Sequence, residues 1–256
     1  MVKTGILKYT MLLSELVKRD IKIRYKGSAL GIVWSVINPL LIMLVMSLVF
    51  GLIFRFDVDH YIVYLLTGQV FFGFMNEATS LSMNAIVYNG SLLRKIYVPK
   101  YIFPMSKVLS TLVNLGFNLI SVFVIMAIDG VRFSWALFMI PVAVFYLFLF
   151  SLGLGLLLAA VVVFFRDIQH IYGVVTLAWT YLTPIFYPVS IIPENYLTLY
   201  KLNPMYQYVS YFRTIVLEQR VPGIEMNAVC LLCGVIMLII GAAFFRSKQY
   251  KFLNYV

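Results

Sequence analysis

Residues 135–165 form one uninterrupted apolar run without a single Asp, Glu, Lys or Arg. Because roughly 20 apolar residues suffice to cross the hydrocarbon core of a bilayer, a run of this length predicts a transmembrane segment. The runs are too long and too uniformly apolar for barrel strands, so they are predicted to be helices. The same criterion predicts six spans, at about residues 31–54, 61–83, 102–128, 135–165, 168–187 and 228–245.

The composition does not fit a soluble fold. Hydrophobic residues make up 62% of the chain and charged residues 12%, whereas a soluble domain has about 25% charged residues. So many apolar side chains cannot all be hidden inside a globule of 256 residues, and the remainder must face lipid. The predicted fold class is an all-α polytopic membrane protein with six transmembrane helices, an N-terminal amphipathic interface helix and outer re-entrant helices.

The distribution of Lys and Arg predicts the orientation of the spans, because cytoplasmic loops carry an excess of these residues. With the N-terminus inside, the inner segments are 1–30, 84–101, 166–167 and 246–256. Together with Lys107, these segments hold 15 of the 20 Lys and Arg residues. Both termini are therefore predicted to be cytoplasmic. The formal net charge of +10 reflects this topology and contact with anionic lipid, and no nucleic-acid partner is expected.

The segment 4–26, within the cytoplasmic region 1–30, has apolar residues at helical spacing and predicts a helix lying in the membrane interface. A basic side chain near anionic lipid contributes about 1 kcal/mol to such binding. The residues placed to meet lipid headgroups are Lys18, Arg19, Lys22, Arg24 and Lys26. A flank that only sets the topology and a surface that binds a partner both remain compatible with this pattern.

The inner link 84–101 carries apolar residues where a plain cytoplasmic linker would be polar. An apolar patch with a basic rim predicts a short helix that docks, either on the chain's own helix ends or on another protein. The apolar residues are Leu92, Leu93, Ile96, Tyr97 and Val98, and the basic ones are Arg94, Lys95 and Lys100.

The outer stretch 188–227 is interrupted by four prolines and contains two apolar runs, Tyr196–Leu202 and Met205–Leu217, that are too short to span. Apolar runs of roughly 10–14 residues are commonly interfacial or re-entrant. Helices that dip back to cover a path between the spans and helices that rest on the outer leaflet are both open interpretations.

The chain lacks the motifs of common catalytic sites. It contains no Gly-x-x-x-x-Gly-Lys-[Ser/Thr] phosphate loop, no Gly-x-Ser-x-Gly and no His-Glu-x-x-His. Cys230 and Cys233 are two thiols in an apolar span, whereas a structural zinc site takes about four ligands. No catalytic residue, metal or cofactor is predicted on this chain, and the chain is not expected to be an enzyme.

Polar and aromatic residues within the spans are the candidate path-lining residues. Glu77 lies in the second span with Asn76 and Gln69, and an ionisable side chain there faces a cavity or a partner; a structural hydrogen bond to another span is the alternative. Aromatic side chains cluster on the outer halves of the second and fifth spans, where they either stack on sugar rings or face lipid. The candidates are Tyr61, Tyr64, Phe71, Phe72, Phe74, Glu77, Trp179, Tyr181, Phe186 and Tyr187.

Motifs that follow in order along nearly the whole chain carry a resemblance to a known family. They are Arg24-Tyr-Lys-Gly-Ser-Ala-Leu-Gly-Ile-Val-Trp34 with Asn38-Pro39, Leu93-Arg-Lys-Ile-Tyr-Val-Pro99, Phe165-Arg-Asp-Ile168, Thr183-Pro-Ile-Phe-Tyr-Pro188 and Leu202-Asn-Pro-Met205. Together they resemble the permease subunit of ABC-2-type polysaccharide exporters, the group that exports O-antigen, capsule and teichoic acid.

The resemblance implies a transmembrane domain over 31–256 that forms a homodimer in the cytoplasmic (inner) membrane, served by two copies of a separate ATPase subunit that binds ATP and Mg²⁺. The expected activity is export of a lipid-linked polysaccharide, with O-antigen as the first expectation. Segment 4–26 matches the family's interface helix, and 188–217 matches its external gate. The residues expected to contact the ATPase lie in the coupling helix and a following turn: Leu92, Leu93, Arg94, Lys95, Ile96, Tyr97, Val98, Arg166 and Asp167.

Two other functions remain open at this point. One is an ABC-2 permease for a small amphiphile or drug. The other is a membrane enzyme of cell-surface glycan assembly, which would be expected to place acidic or basic catalytic groups on a loop, and no such cluster is present.

Overall fold

The structure, a computed structural model, describes residues 2–27, 31–50, 58–95 and 98–255, and over these residues it contains helices and no strand. The predicted all-α class is therefore confirmed. The α-helices are α1 (Val2–Tyr25), α2 (Val33–Val49), α3 (Tyr61–Met83), α4 (Ala85–Tyr88), α5 (Gly90–Lys95), α6 (Ile102–Ile128), α7 (Ile140–Phe164), α8 (Ile168–Leu182), α9 (Glu194–Leu202), α10 (Pro204–Val216) and α11 (Ile224–Lys248). Short 3₁₀ segments lie at Trp135–Met139, Val189–Ile191 and Gln249–Asn254.

Three of the described helical segments are long and apolar enough to cross a membrane: Ile102–Ile128, Trp135–Phe164 and Ile224–Asn254. Helix α2 is apolar but has 17 residues, and residues 51–54 of the predicted first span lie outside the described residues. Helix α3 has 23 residues but is more polar. These features agree with a polytopic membrane protein, and the number of six spans stays a prediction.

Helix α8 is shorter than the span predicted over 168–187. It ends at Leu182, because Pro184 has no backbone N–H and disfavours helical backbone in the residue before it. With 15 residues the helix is only about 22 Å long, which is less than the roughly 30 Å of the hydrocarbon core. The buried stretch 183–186 continues as irregular backbone, whose polar groups need partners inside the protein.

Helix α3 lies at the centre of the bundle. It packs against α2, α6, α7, α8 and α10, and most of its residues are buried. Its apolar side chains run around the whole helix, which is the pattern of a helix surrounded by other helices. The few polar residues of α3 are therefore held inside the protein, where each needs a partner or a cavity.

Helices α7 and α11 form the most extensive helix–helix contact among the described elements. Gly153 and Gly241 meet at their crossing, where a Cβ atom on Gly241 would overlap the carbonyl oxygen of Gly153. A Cβ atom on Gly153 would likewise overlap the backbone of Met237. Small residues let two backbones approach closely within a bilayer, so glycine is required at both positions.

The bundle has two distinct ends. We call the end that carries α4, α5 and the C-terminal 3₁₀ segment the basic end; there the Lys100 ammonium donates to the carbonyl of Gln249. At the opposite end, His60 Nδ1 lies 2.9 Å from Asp129 Oδ2, and α9 and α10 follow the irregular backbone after α8. Each functional residue can therefore be located at the basic end, at the opposite end, or in the part of the bundle between the two.

Candidate functional site

A polar cleft opens in the bundle between α1, α2, α3 and α6. Its volume is about 570 Å³, and it differs from the rest of the bundle because amide, hydroxyl and charged side chains line it. We define the polar cleft by these lining residues: Arg24, Tyr25, Trp34, Ser35, Asn38, Gln69, Glu77, Asn114 and Asn118.

A chain of polar contacts runs through the cleft from α1 to α6. The Arg24 guanidinium forms an ion pair with the Glu77 carboxylate, and Asn114 Nδ2 donates to Glu77 Oε2 at 3.1 Å. The Tyr25 hydroxyl donates to Asn114 Oδ1 at 3.2 Å and shares a hydrogen bond with the Ser35 hydroxyl. Glu77 thus both faces a cavity and bonds to other helices.

The pair of Arg24 and Glu77 fixes the last turn of α1 against α3. Their side chains keep 28% and 34% of their exposure, so water screens the attraction and we assign it about 1 kcal/mol at most. A carboxylate on a membrane helix is nevertheless costly without a counter-charge. The first motif of the sequence therefore supplies the cation that Glu77 needs.

Sequence reasoning does not assign the cleft amides Asn38, Asn114 and Asn118 to a path. The signal that identifies two of them is spacing, since Asn114 and Asn118 stand at i, i+4 on α6. Gln69 and Glu77 stand two such steps apart on α3, so each set lies along one helix face. Polar stripes of this kind in apolar helices mark the faces that line a cavity.

The cleft is chemically suited to a polar ligand with little charge. Trp34, which is 45% exposed, offers a flat apolar surface, and the amides of Asn38, Gln69 and Asn118 provide both donors and acceptors. The charges of Arg24 and Glu77 balance each other. Among the residues that the structure describes, no group of three or more His, Cys, Asp and Glu could hold a metal ion.

The basic residues predicted on the interface helix have different environments. Lys22 and Lys26 are exposed, and no ion pair is found for either of them within the described ranges. The other three are paired: Lys18 with Glu15 at 2.8 Å, Arg19 with Asp20 at 3.3 Å, and Arg24 with Glu77. A role of these residues at lipid headgroups stays a prediction. Lys22 and Lys26 are the strongest candidates for it, because they are exposed and not engaged in the ion pairs described here.

A second ion pair ties α1 to α6. Lys107 Nζ lies 2.8 Å from Asp20 Oδ2, and the two side chains keep 19% and 10% of their exposure. Less water reaches this pair than reaches Lys18 and Glu15, so it contributes more to holding α1 in place. Helix α1 is thus attached to the bundle by two ion pairs, in addition to the hydrogen bonds of Tyr25.

Several predicted path residues lie in the packed interior. Phe71, Phe72 and Phe74 are buried, and Phe71 stacks on Phe212 with ring centroids 4.0 Å apart. Phe186 is also buried and stacks on Phe50 at 5.3 Å. A path along the surface of one subunit does not reach these rings, so we place them in the core.

The remaining predicted aromatics lie toward the opposite end. Tyr181 is exposed, whereas Trp179 and Tyr187 are half-buried. Trp179 Nε1 donates to Asn203 Oδ1 at 2.7 Å, which joins α8 to the start of α10. Of the ten residues predicted to line a path, only Glu77 lies in the polar cleft.

Three side chains hold the irregular backbone that follows α8. Buried Arg213 donates through Nη1 to the carbonyl of Pro184 at 2.7 Å and through Nη2 to that of Ile185 at 3.2 Å. The Tyr64 hydroxyl donates to the carbonyls of Pro184 at 3.1 Å and Tyr187 at 2.8 Å, and the Tyr61 hydroxyl donates to that of Phe186 at 2.7 Å. The hydroxyls of Tyr61 and Tyr64 therefore bond to the irregular backbone after α8.

Arg213 is also bound to α3. Its Nη2 donates to the carbonyl of Tyr64 at 3.0 Å, and the guanidinium lies 3.4 Å from the centroid of the Tyr64 ring. Gly68 leaves the room for it, because a Cβ atom there would lie 2.8 Å from Nη2. Arg213, which the sequence assigns to an outer segment, therefore connects α10 with α3 and with the backbone that follows α8.

Within the predicted coupling segment, residues Gly90–Lys95 form α5 at the basic end. Leu93 is buried and Leu92 half-buried, so these two side chains pack against the chain itself, while Arg94 and Lys95 are exposed. A coupling role of this segment stays a prediction. Val98 is half-buried. Ile96 and Tyr97 lie outside the described residues.

Other exposed side chains extend this surface. Arg166 and Asp167 are exposed in the turn between α7 and α8. Tyr88, the last residue of α4, is not among the predicted coupling residues; it is 77% exposed and stands two residues before the start of α5. A large aromatic side chain exposed at the basic end is typical of a protein-binding surface.

The sequence was compared with those of known proteins. The model of the ABC-2 type transporter membrane family matches residues 11–217. An O-antigen export system permease protein, RfbA, of Myxococcus xanthus is 31% identical over 247 residues, covering 96% of this chain and 95% of that protein. A Klebsiella pneumoniae O-antigen export permease is 26% identical, covering 94% of the chain and 93% of that protein. The capsule polysaccharide export inner-membrane protein CtrC of Neisseria meningitidis is 25% identical, covering 90% and 88%.

Proposed function

Because the chain belongs to the ABC-2 type transporter family, we propose that it is the channel-forming permease subunit of an ATP-driven exporter of lipid-linked polysaccharide. The observation that carries this proposal is the polar cleft, lined by Trp34 and several amides in an otherwise apolar bundle. The names of the O-antigen and capsule export relatives support the same cargo class, with O-antigen as the first candidate. The chain acts in the cytoplasmic (inner) membrane as a transport subunit.

The cleft is the place where the glycan enters the subunit. The ring of Trp34 stacks on the apolar faces of sugar rings, while Asn38, Gln69 and Asn118 exchange hydrogen bonds with sugar hydroxyls. Such contacts are individually weak, so the polymer slides from one set to the next without a deep trap. The balanced charges of Arg24 and Glu77 allow neutral repeat units to pass.

ATP hydrolysis takes place on a separate partner, in this proposal, because the chain has no phosphate loop. The partner ATPase holds ATP and Mg²⁺ and docks on the basic end, against Tyr88, Arg94, Lys95 and the turn at Arg166 and Asp167. Since Leu93 is packed into the subunit, a push on α5 reaches the ends of the membrane helices directly. The basic end is cytoplasmic, as the excess of Lys and Arg predicts.

A second copy of the chain completes the channel. Helix α8 presents a strongly exposed apolar face, with Val174 at 69%, Leu177 at 61% and Tyr181 at 58% exposure. Because α8 is shorter than the hydrocarbon core is thick, packing against another protein helix suits it better than lipid alone. The polar cleft, open on one side, then faces an enclosed space between the protomers.

Replacement of Tyr88 by alanine is expected to uncouple the transporter. The chain is co-purified with its ATPase in lipid, and ATP hydrolysis and polysaccharide transport are measured together. Tyr88→Ala removes an exposed aromatic anchor of the docking surface, and the loss of such an anchor typically costs about 2 kcal/mol of binding. We expect transport to fall at least about tenfold while the folded chain is retained.

Tyr250→Ala is the matched control, because Tyr250 is 78% exposed at the same end of the molecule but outside the proposed surface. Equal loss in both variants would show that the docking surface is wrongly placed. A complex whose ATPase responds to small hydrophobic compounds and not to the glycolipid would replace the cargo assignment by a small amphiphile.

A further inference from the structure

A cavity separate from the polar cleft opens at the basic end, between the last turns of α7 and α11. Its volume is about 510 Å³. The floor and walls are apolar or aromatic, formed by Val161, Phe164, Phe165 and Phe244, and the rim carries Lys248, Lys251 and Tyr255. One cavity thus combines a hydrocarbon-like interior with two cations at its mouth.

The two rim lysines are available to a ligand. Both are exposed, and no salt bridge to either is found within the described ranges. Lys248 Nζ lies 5.9 Å from the centroid of the Phe244 ring, which lines the same cavity. Two neighbouring cations repel each other, and an anion between them removes this cost.

The walls are fixed by packing. The ring of Phe164 meets those of Tyr255 at 5.0 Å and Phe252 at 5.9 Å between centroids, and Phe252 is fully buried. The cavity is therefore a built feature of the C-terminal 3₁₀ segment against α7.

The position of the cavity selects its ligand. It lies where two membrane helices, Trp135–Phe164 and Ile224–Asn254, reach the end of the bundle that carries most of the Lys and Arg residues. At that depth an apolar interior meets lipid chains and the lysines meet headgroups. Basic pockets between membrane helices on the cytoplasmic side are suited to anionic lipid headgroups.

We propose that this cavity binds one anionic phospholipid of the cytoplasmic leaflet, with its phosphate between Lys248 and Lys251 and an acyl chain against Phe164, Phe165 and Phe244. The proposal rests on the proposed function only for the cytoplasmic position of the basic end. The occupied cavity also steadies the 3₁₀ segment, which contacts α5 and accepts the Lys100 hydrogen bond through Gln249.

The test is native mass spectrometry of the full chain purified in detergent. Phosphatidylglycerol and phosphatidylcholine with the same acyl chains are added separately, so that only the headgroup charge differs. We expect wild-type protein to retain a single phosphatidylglycerol and to bind phosphatidylcholine far more weakly. The Lys248→Gln/Lys251→Gln variant is expected to lose affinity on the order of fivefold for each lysine removed.

Two further variants separate this site from general charge effects. Lys201→Gln/Arg220→Gln removes the same charge at the opposite end and is expected to bind lipid as wild type does. Val161→Trp keeps both lysines but fills the cavity, and it is expected to lose the lipid while its thermal stability reports folding. Excess inorganic phosphate is expected to leave the bound lipid in place, because phosphate offers no acyl chain.

Two results would overturn the proposal. They are equal retention of the two lipids and equal loss of lipid in both charge variants. None of these readouts depends on transport, so the outcome is independent of the proposed cargo.

Discussion

Replacement of Gly241 by leucine is expected to abolish the folded protein. The Cβ atom alone would overlap the carbonyl oxygen of Gly153, and backbone atoms of a packed helix cannot move aside as a flexible side chain can. Overpacking a well-packed core typically costs about 1–3 kcal/mol, and more where backbone is displaced. Since α7 and α11 form the largest helix contact described, we expect a loss of most of the stability, which is only about 5–15 kcal/mol in total.

The measurement is the yield of monodisperse protein in mild detergent and its thermal unfolding. Gly116→Leu is the matched control, because a Cβ atom at Gly116 of α6 meets nothing within 4 Å, and leucine has the higher helix propensity. Normal yield and stability of the Gly241 variant would show that α7 and α11 do not cross as described.

Replacement of Arg213 by leucine is expected to release the outer helices from the bundle. The change removes one donor each from the carbonyls of Tyr64, Pro184 and Ile185. Tyr64 and Pro184 keep other donors, the hydroxyls of Thr67 and Tyr64, whereas the carbonyl of Ile185 loses the donor that the described residues give it, at a cost of about 1–3 kcal/mol. The guanidinium also stacks on the Tyr64 ring, a contact worth about 2 kcal/mol when desolvated, so we expect a total loss of about 3–5 kcal/mol.

Limited proteolysis and thermal unfolding measure this effect. We expect earlier cleavage between α9 and α11 and a clearly lower unfolding temperature. Arg220→Leu is the control, since Arg220 is exposed and its side chain pairs with exposed Glu218; such surface changes remain within about 0.5 kcal/mol. If both variants unfold alike, Arg213 does not support the break after α8.

Apolar run length was enough to predict most of the architecture. The boundaries of α3 and α6 coincide with the predicted segments 61–83 and 102–128. In both cases polar loops bound an apolar run, and the ends of the run mark the ends of the helix. The end of α8 differs, since the apolar run continues past Pro184 while the helix does not. Hydropathy alone does not register a missing N–H.

The polar cleft could be predicted only in part. Glu77 and Gln69 are visible as polar residues in an apolar span, and Arg24 stands in the first motif. Their meeting depends on how α1 crosses α3, which no local spacing encodes. The interior position of Phe71 and Phe74 was hidden for the same reason, because rings facing a path, a core or lipid look alike in a sequence.

Arg213 is a residue whose structural role could not be predicted from the sequence. It lies in the outer stretch 188–227, within the apolar run Met205–Leu217 that is too short to span, yet its side chain is buried. Its partners are backbone carbonyls exposed by the helix break, and carbonyls carry no signature in the sequence. Tertiary structure therefore decided the role of this residue.

Photo-crosslinking of the glycan during transport tests the central claim most directly. A benzophenone amino acid replaces Trp34 in the polar cleft or, as a control, Ile239 on α11, which is 61% exposed and outside the cleft. Each variant is reconstituted with the ATPase and labelled lipid-linked polysaccharide, and transport is measured in the same samples. The account predicts an ATP-dependent glycan adduct at position 34 and none at position 239. Active transport without an adduct at position 34, or with equal adducts at both positions, would contradict it.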